Sequence, residues 1–214
     1  MPARRSSPPV TTVLFVRHGQ TPTTGATLPG RARGLHLADA GHRQAEAVAA
    51  RIAELPRVDA VYSSPLERAR ETAQPIARAR GLRVQVERGL LECDFGDWTG
   101  GELKQLAKLP EWRVVQRYPS GFRFPGGESF SEMQQRIVAT AQALAARHEG
   151  GVVVAVSHAD PIKAALAHAL GTHLDLFQRI VVSPCSVSAV SYSAGGPIVL
   201  TVNATGALTE LKPS

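Results

Sequence analysis

The chain has little of what would tie it to a metal, a redox couple, a membrane or a nucleic acid. It holds two cysteines in 214 residues, Cys93 and Cys185, too few and too far apart for a metal-binding or redox pair. No apolar run approaches the roughly 20 residues that a membrane-spanning helix requires. Aromatic residues make up 5% of the sequence. They form no repeated strand platform for single-stranded nucleic acid, and no zinc-finger spacing is present. Positive charge is in excess, +6 at neutral pH, but it is not blocked. Arg43, Arg51, Arg68, Arg70, Arg78 and Arg80 are interspersed with Glu46, Glu54, Glu67 and Glu71, the pattern of solvated helix faces. The basic N-terminus MPARRSSPPV is followed by a short apolar run with no small-residue cleavage site, so it reads as a tail and not an export signal. What remains is a globular, cytoplasmic protein with 43% hydrophobic residues, whose charge favours a small anionic partner over nucleic acid or membrane. Monomer and homodimer are both compatible with one sequence.

What the chain does have is an alternation of strand-like and helix-like segments. Residues 10–17 read as a buried strand, and residues 39–55 carry an apolar stripe at 45, 48, 49, 52 and 55 that predicts a helix. VDAVYS at 58–63 is a second short strand. SPLE at 64–67 has the form of a capping box that opens a helix to about Arg80, disturbed at Pro75. Residues 83–92 follow as a third strand and exit loop, and 97–127 are irregular. Ser129 and Glu132 form a second capping box before a helix to about His148. VVVAVS at 152–157 is a buried strand, 160–170 a helix, and 180–192 and 198–204 closing strands. This order predicts an α/β fold, a three-layer α/β/α sandwich with a largely parallel central sheet. Residues 10–205 form one domain with a lid-like insertion near 97–127, flanked by tails at 1–9 and 206–214.

Two of the buried strands end on histidine: VTTVLFVRHGQT on His18 and GGVVVAVSHADP on His158. In open α/β sheets the ligand site lies beyond the carboxyl ends of the strands. Arg68 stands in the first turn after the second strand and Glu92 just after the third, so all four side chains can reach one crevice. Arg17 and Arg68 offer forked N–H pairs that suit a tetrahedral oxyanion. A neutral His18 is a competent nucleophile at phosphorus, His158 can share the charge on non-bridging oxygens, and such a cationic nest can stand in for magnesium. Glu92 is the candidate general acid, which requires a raised pKa and a rate optimum on the acidic side of neutral.

RHGQT at 17–21 resembles the RHGET-type signature of the histidine phosphatase superfamily, which includes the cofactor-dependent phosphoglycerate mutases. LHLADAGHRQAEAVA, SSPLERARETA, ECDFGDWTG, PGGES and VVAVSHADPIKAAL resemble further family segments in the same order. The resemblance implies a phosphoglycerate mutase-like fold and a phosphorylated nucleophile at His18. It makes Arg17, Arg68 and His158 phosphoryl ligands and Glu92 the proton donor, with no metal and no cofactor. It also places Gly19, Gln20, Thr21, Thr24 and Ala159 at the phosphate, and Arg31 is a separate candidate for the substrate mouth. The chain departs from the family at three of these. Gln20 stands where glutamate is frequent, Thr24 where asparagine is common, and Ala159 where glycine often follows the second histidine.

GATLPGRA at 25–32 imitates a P-loop in its glycine spacing, but Arg31 and Ala32 stand where lysine and Ser or Thr are required. Seven of the eleven aromatic residues fall between 95 and 130, as expected of a lobe packed over the substrate. Arg113, Arg117 and Arg123 beside them are candidates for an acidic substrate. His36, His42, His148, His168 and His173 show no ligand pattern and read as structural or surface residues. The acid loop resembles the phosphatase branch, which predicts a metal-independent phosphatase acting on a small phosphorylated metabolite. A phosphomutase needing a bisphosphate primer is the alternative, followed by a phosphate-binding module without turnover.

Overall fold

The computed structural model describes residues 9–208. Its elements in chain order are β1 (Thr11–Arg17), α1 (Asp39–Ala53), β2 (Ala60–Ser63), α2 (Glu67–Ala79), β3 (Val84–Val86), α3 (Leu103–Leu106), α4 (Trp112–Arg117), α5 (Phe130–Arg147), β4 (Val152–Ser157), α6 (Ala159–Ala169), β5 (Val187–Ser193) and β6 (Gly196–Ala204). The strands form one sheet in the order β3-β2-β4-β1-β5-β6. The first four in that order are mutually parallel, β5 runs antiparallel to β1, and β6 runs antiparallel to β5.

The apolar strand runs are continuous because both faces of the sheet are covered. Side chains alternate along β1, so Val13 and Phe15 join one core with Ile137 and Leu144 of α5 and Ile162 and Leu166 of α6. Leu14 and Val16 point the other way, into a second core with Val48 and Ile52 of α1 and Ala73 and Ile76 of α2. This is the three-layer sandwich. The β1–β4 register pairs Arg17 with Ser157, so His18 and His158 leave the sheet side by side.

Four local expectations change. The third strand is only Val84–Val86, because the chain turns into a 3-10 helix at Arg88–Leu90 that the Glu87 side chain caps through the Gly89 amide. The strand expected from 180 begins at Val187, because residues 182–186 serve Arg17, whose carbonyl accepts from Cys185 N at 3.0 Å. The Ser64 capping box does not form: α2 starts at Glu67 behind Leu66, with no side-chain cap. Pro75 lies inside α2 and does not divide it. The Ser129–Glu132 box is present in both directions. Residues 1–8 and 209–214, most of the two expected tails, lie outside the described residues. Leu208 is buried against the α1–α2 side, so packing continues to that point.

Candidate active site

His18 is the residue at which β1 stops, and its amide still completes the sheet by donating to Ser157 O at 3.0 Å. The next residue must be glycine for a steric reason: a Cβ on Gly19 would lie 2.6 Å from Gly41 O at the start of α1. This close approach locks the turn under the histidine. Gly19 N donates to Thr72 Oγ1 at 3.0 Å, and the Thr72 hydroxyl donates to Arg68 O at 2.8 Å. The turn after His18 and the helix that carries Arg68 are therefore tied together by one buried hydroxyl.

The His18 tautomer follows from its partner. Nδ1 lies 2.7 Å from Gly19 O, and a carbonyl can only accept, so Nδ1 carries the proton and Nε2 keeps a lone pair. Arg68 Nε donates to that Nε2 at 3.3 Å. Burial, with Arg68 and then Arg17 adding to it against the Gly19 bond, pushes the His18 pKa down to about 3. The ring is neutral at pH 7.

Arg68 is fully buried, held by Nη2 to Gly30 O at 2.8 Å. Arg17 Nη1 donates to Val182 O at 2.8 Å. Arg17 Nε, Arg68 Nη1 and His158 Nδ1 are buried without a hydrogen-bond partner among the described residues. Three unpaired donors on neighbouring side chains are costly unless something accepts from them. An oxyanion is the fitting acceptor. His158 packs edge-on to His18 with ring centroids 5.1 Å apart, and its Nε2 lies 2.9 Å from Ser64 Oγ. For His158 to donate from Nδ1, the Ser64 hydroxyl must donate to Nε2.

Glu92 closes the pocket. Its Oε1 accepts from Cys93 N at 3.0 Å, and its Oε2 stands 4.0 Å from His158 Nδ1. That pair is not an ion pair, because burial, with Arg68 and His18 beside it, holds His158 well below its ordinary pKa. Burial first, and Asp160 second, raise the Glu92 carboxyl to about 7 against the pull of Arg68.

The remaining candidates are less directly placed. Gln20 is fixed through its backbone, N to Gln44 Oε1 at 2.9 Å. Thr24 Oγ1 accepts from Thr21 N at 2.9 Å and bonds the Thr21 hydroxyl at 3.1 Å, so the pair braces its own turn. Ala159 opens α6 directly after His158. Arg31 is committed to the acid loop, with Nε donating to Glu92 O at 2.9 Å. The 25–32 loop therefore meets Arg68 through a carbonyl, not through a P-loop cradle of amides.

Most of the aromatic residues pack on each other. Phe95, Phe122 and Phe130 all lie within 5.2 Å of Phe124 between ring centroids, and only Tyr118 is largely exposed. A small cavity of about 40 Å³ between Phe95, Trp112 and Phe130 is bounded by Asp160 and Gln178. A larger one of about 430 Å³ lies at Thr11, Gln142 and Tyr192, beyond the opposite end of β1 from the chemistry. Ser64, Thr72 and Asp160 also stand at the site. Thr72 and Asp160 carry no signal in the sequence, and the signal at Ser64 is that of a helix cap.

The family model of the histidine phosphatase superfamily, branch 1, matches residues 13–205. The chain belongs to that superfamily. Among its relatives, a bifunctional protein of Mycobacterium tuberculosis is 36% identical over 200 residues, which cover 92% of this chain and 55% of that protein. The chain thus spans about half the length of that relative. Phosphoserine phosphatase 1 of Hydrogenobacter thermophilus is 31% identical over 203 residues, covering 92% and 94%. The solved phosphoserine phosphatase of Entamoeba histolytica, in complex with 3-phosphoglyceric acid, superposes with a TM-score of 0.82 at 25% identity, covering 91% and 98%. This member of the superfamily has no helix among its described residues that is long and apolar enough to cross a membrane.

Proposed function

We propose that the chain is a metal-independent phosphatase that hydrolyses a small phosphomonoester through a phosphohistidine on His18. The observation that carries this reading is the His18 Nε2 lone pair, kept unprotonated by the Gly19 carbonyl on Nδ1 and accepting a 3.3 Å bond from Arg68 Nε that a bound phosphoryl group would take over. Nε2 attacks phosphorus in line with the ester bond. As that bond breaks, the leaving oxygen takes the Glu92 proton. Arg17, Arg68 and His158 hold the three equatorial oxygens, where charge accumulates in a loose transition state. Two guanidiniums balance the two charges of the ester, the task a divalent cation performs in other phosphoryl-transfer sites. Water then attacks the phosphohistidine, Glu92 carboxylate takes the water's proton, and the P–N bond breaks to restore the lone pair. The phosphoserine phosphatases among the relatives support a small phosphorylated acid as the substrate class.

The intermediate gives the direct test. A quench in alkali, where phosphohistidine survives, should trap a phosphate on His18 during turnover of an aryl phosphate in excess chelator. Phosphate release without a bisphosphate primer identifies the phosphatase, and turnover only with the primer identifies the mutase. A parent protein that turns over with no label on His18 would remove the reading.

The pH profile is a second expectation. His18 must be neutral, which holds above about 3, and Glu92 must be protonated, which holds below about 7. The kcat/KM for an alkyl phosphate should therefore peak on the acid side of neutral and fall as Glu92 ionises. Glu92→Gln should flatten the alkaline limb. A rate that climbs steadily above pH 8 would count against Glu92 as the acid.

A further inference from the structure

Two arginines from distant parts of the chain converge on one carbonyl. Arg31 Nε donates to Glu92 O at 2.9 Å and Arg136 Nη2 donates to the same oxygen at 3.3 Å. Glu128 sits between them. Its Oε2 accepts from Arg31 Nη2 at 3.0 Å, Arg136 Nη2 at 2.9 Å and Asp94 N at 3.2 Å. Its Oε1 accepts from Arg136 Nε at 2.9 Å, which completes a bidentate pair. Arg136 Nη1 reaches the carbonyls of Gly89 and Leu91, each at 2.8 Å. The backbone on both sides of Glu92 is thus held by charge-assisted bonds from Arg136 of α5, from Arg31 of the 25–32 loop and from Glu128 in the turn before α5. These are the strong class of hydrogen bond, and the Glu128 side chain at their centre is 13% exposed.

We propose that Glu128 and Arg136, with Arg31, are positioning residues that set the reach of the Glu92 carboxyl toward the leaving oxygen. The inference rests on the proposed role of Glu92 as proton donor. Glu92 approaches the pocket on a side chain with three rotatable bonds, and among the described residues only the Cys93 amide on Oε1 hydrogen-bonds its carboxylate. Its aim therefore depends on where its backbone stands. Misplacing a reacting group by about 1 Å can cost on the order of 10²-fold. That loss should appear only where a proton is needed. A nitrophenolate leaves without one, whereas an alkoxide does not.

The test compares kcat/KM for p-nitrophenyl phosphate and for O-phosphoserine in Arg136→Lys, Glu128→Gln and Glu92→Gln. This parameter covers only the steps up to loss of the leaving group, so the later hydrolysis of the intermediate does not enter. The ratio of the two esters on one preparation is also independent of the fraction folded. The expected result for the two positioning variants is roughly a 10²-fold loss on the alkyl ester and less than about threefold on the aryl ester. Equal losses on both esters, or none on either, would overturn the proposal and leave the cluster a purely structural one. Should Glu92→Gln shift the ratio while the positioning variants do not, the inference alone fails. An unchanged ratio in Glu92→Gln itself would overturn the acid assignment and the inference with it.

Discussion

His18→Ala should lower phosphate release by about 10⁴-fold or more, the scale on which loss of a nucleophile registers when its partners remain in place. The variant keeps Arg17, Arg68 and His158, so it should still bind the ester and inorganic phosphate, and binding with no turnover is the diagnostic result. Its stability supplies an internal control. His18 is neutral in the native state down to about pH 3, whereas the unfolded residue takes up a proton near 6.5. The unfolded chain therefore binds more protons in that window. Native stability is full above about 6.5 and is lost as pH falls toward 3. Removing the imidazole removes that contribution, so thermal melts of His18→Ala at pH 5 should fall less from their neutral value than those of the parent. Activity that survives the substitution would make the central assignment wrong.

The second large effect is expected at Arg68, where catalysis and stability should part. Its guanidinium is fully buried with one nitrogen unpaired among the described residues, an arrangement that folding alone would not select. Arg68→Met keeps the bulk and removes the charge. Burial is the largest influence on the Arg68 guanidinium, and holding a charge out of water without a paired carboxylate is costly, so the melting temperature should hold or rise. The kcat/KM should drop by about 10³-fold, the upper range for loss of one transition-state donor. Arg68 also lowers the His18 pKa; without it the acid limb of the pH profile should move upward. Arg68→Lys should be intermediate, since it restores charge but not the fork that spans His18 Nε2 and Gly30 O. A collapse in both melting temperature and activity would recast Arg68 as a structural residue.

The parts of the site legible in the sequence are those that depend on local pattern. A β-branched run buried on both sides and ending at Arg17-His18 shows where β1 stops, and Val152–Ser157 does the same for His158. Once the alternation of elements implies a parallel sheet, the two endings must share an edge, and Arg68 and Glu92 follow as the residues after the next two strands. Ser64 shows the limit. Its spacing to Glu67 satisfies a helix cap, but the side chain turns to His158 Nε2 at 2.9 Å instead. Nothing local tells a serine which of two acceptors or donors it will meet.

The same limit applies to Arg31, Glu128 and Arg136. Glu128 and Arg136 read as ordinary charged residues among neighbours and Arg31 as a candidate for the substrate mouth, and their meeting around the Glu92 backbone joins a loop, a turn and a helix far apart in the chain. The short third strand and late start of β5 were missed for a related reason: edge pairing and the demands of Arg17 stop a strand that apolar pattern alone would continue. By itself the sequence determined the alternation of layers, the two strand endings and the chemical types at the crevice, because periodicity and residue chemistry are local properties. Only the tertiary structure decided the His18 tautomer, the raised carboxyl of Glu92 and the grip on its backbone. Burial and hydrogen-bond geometry depend on residues that are neighbours in space and strangers in sequence.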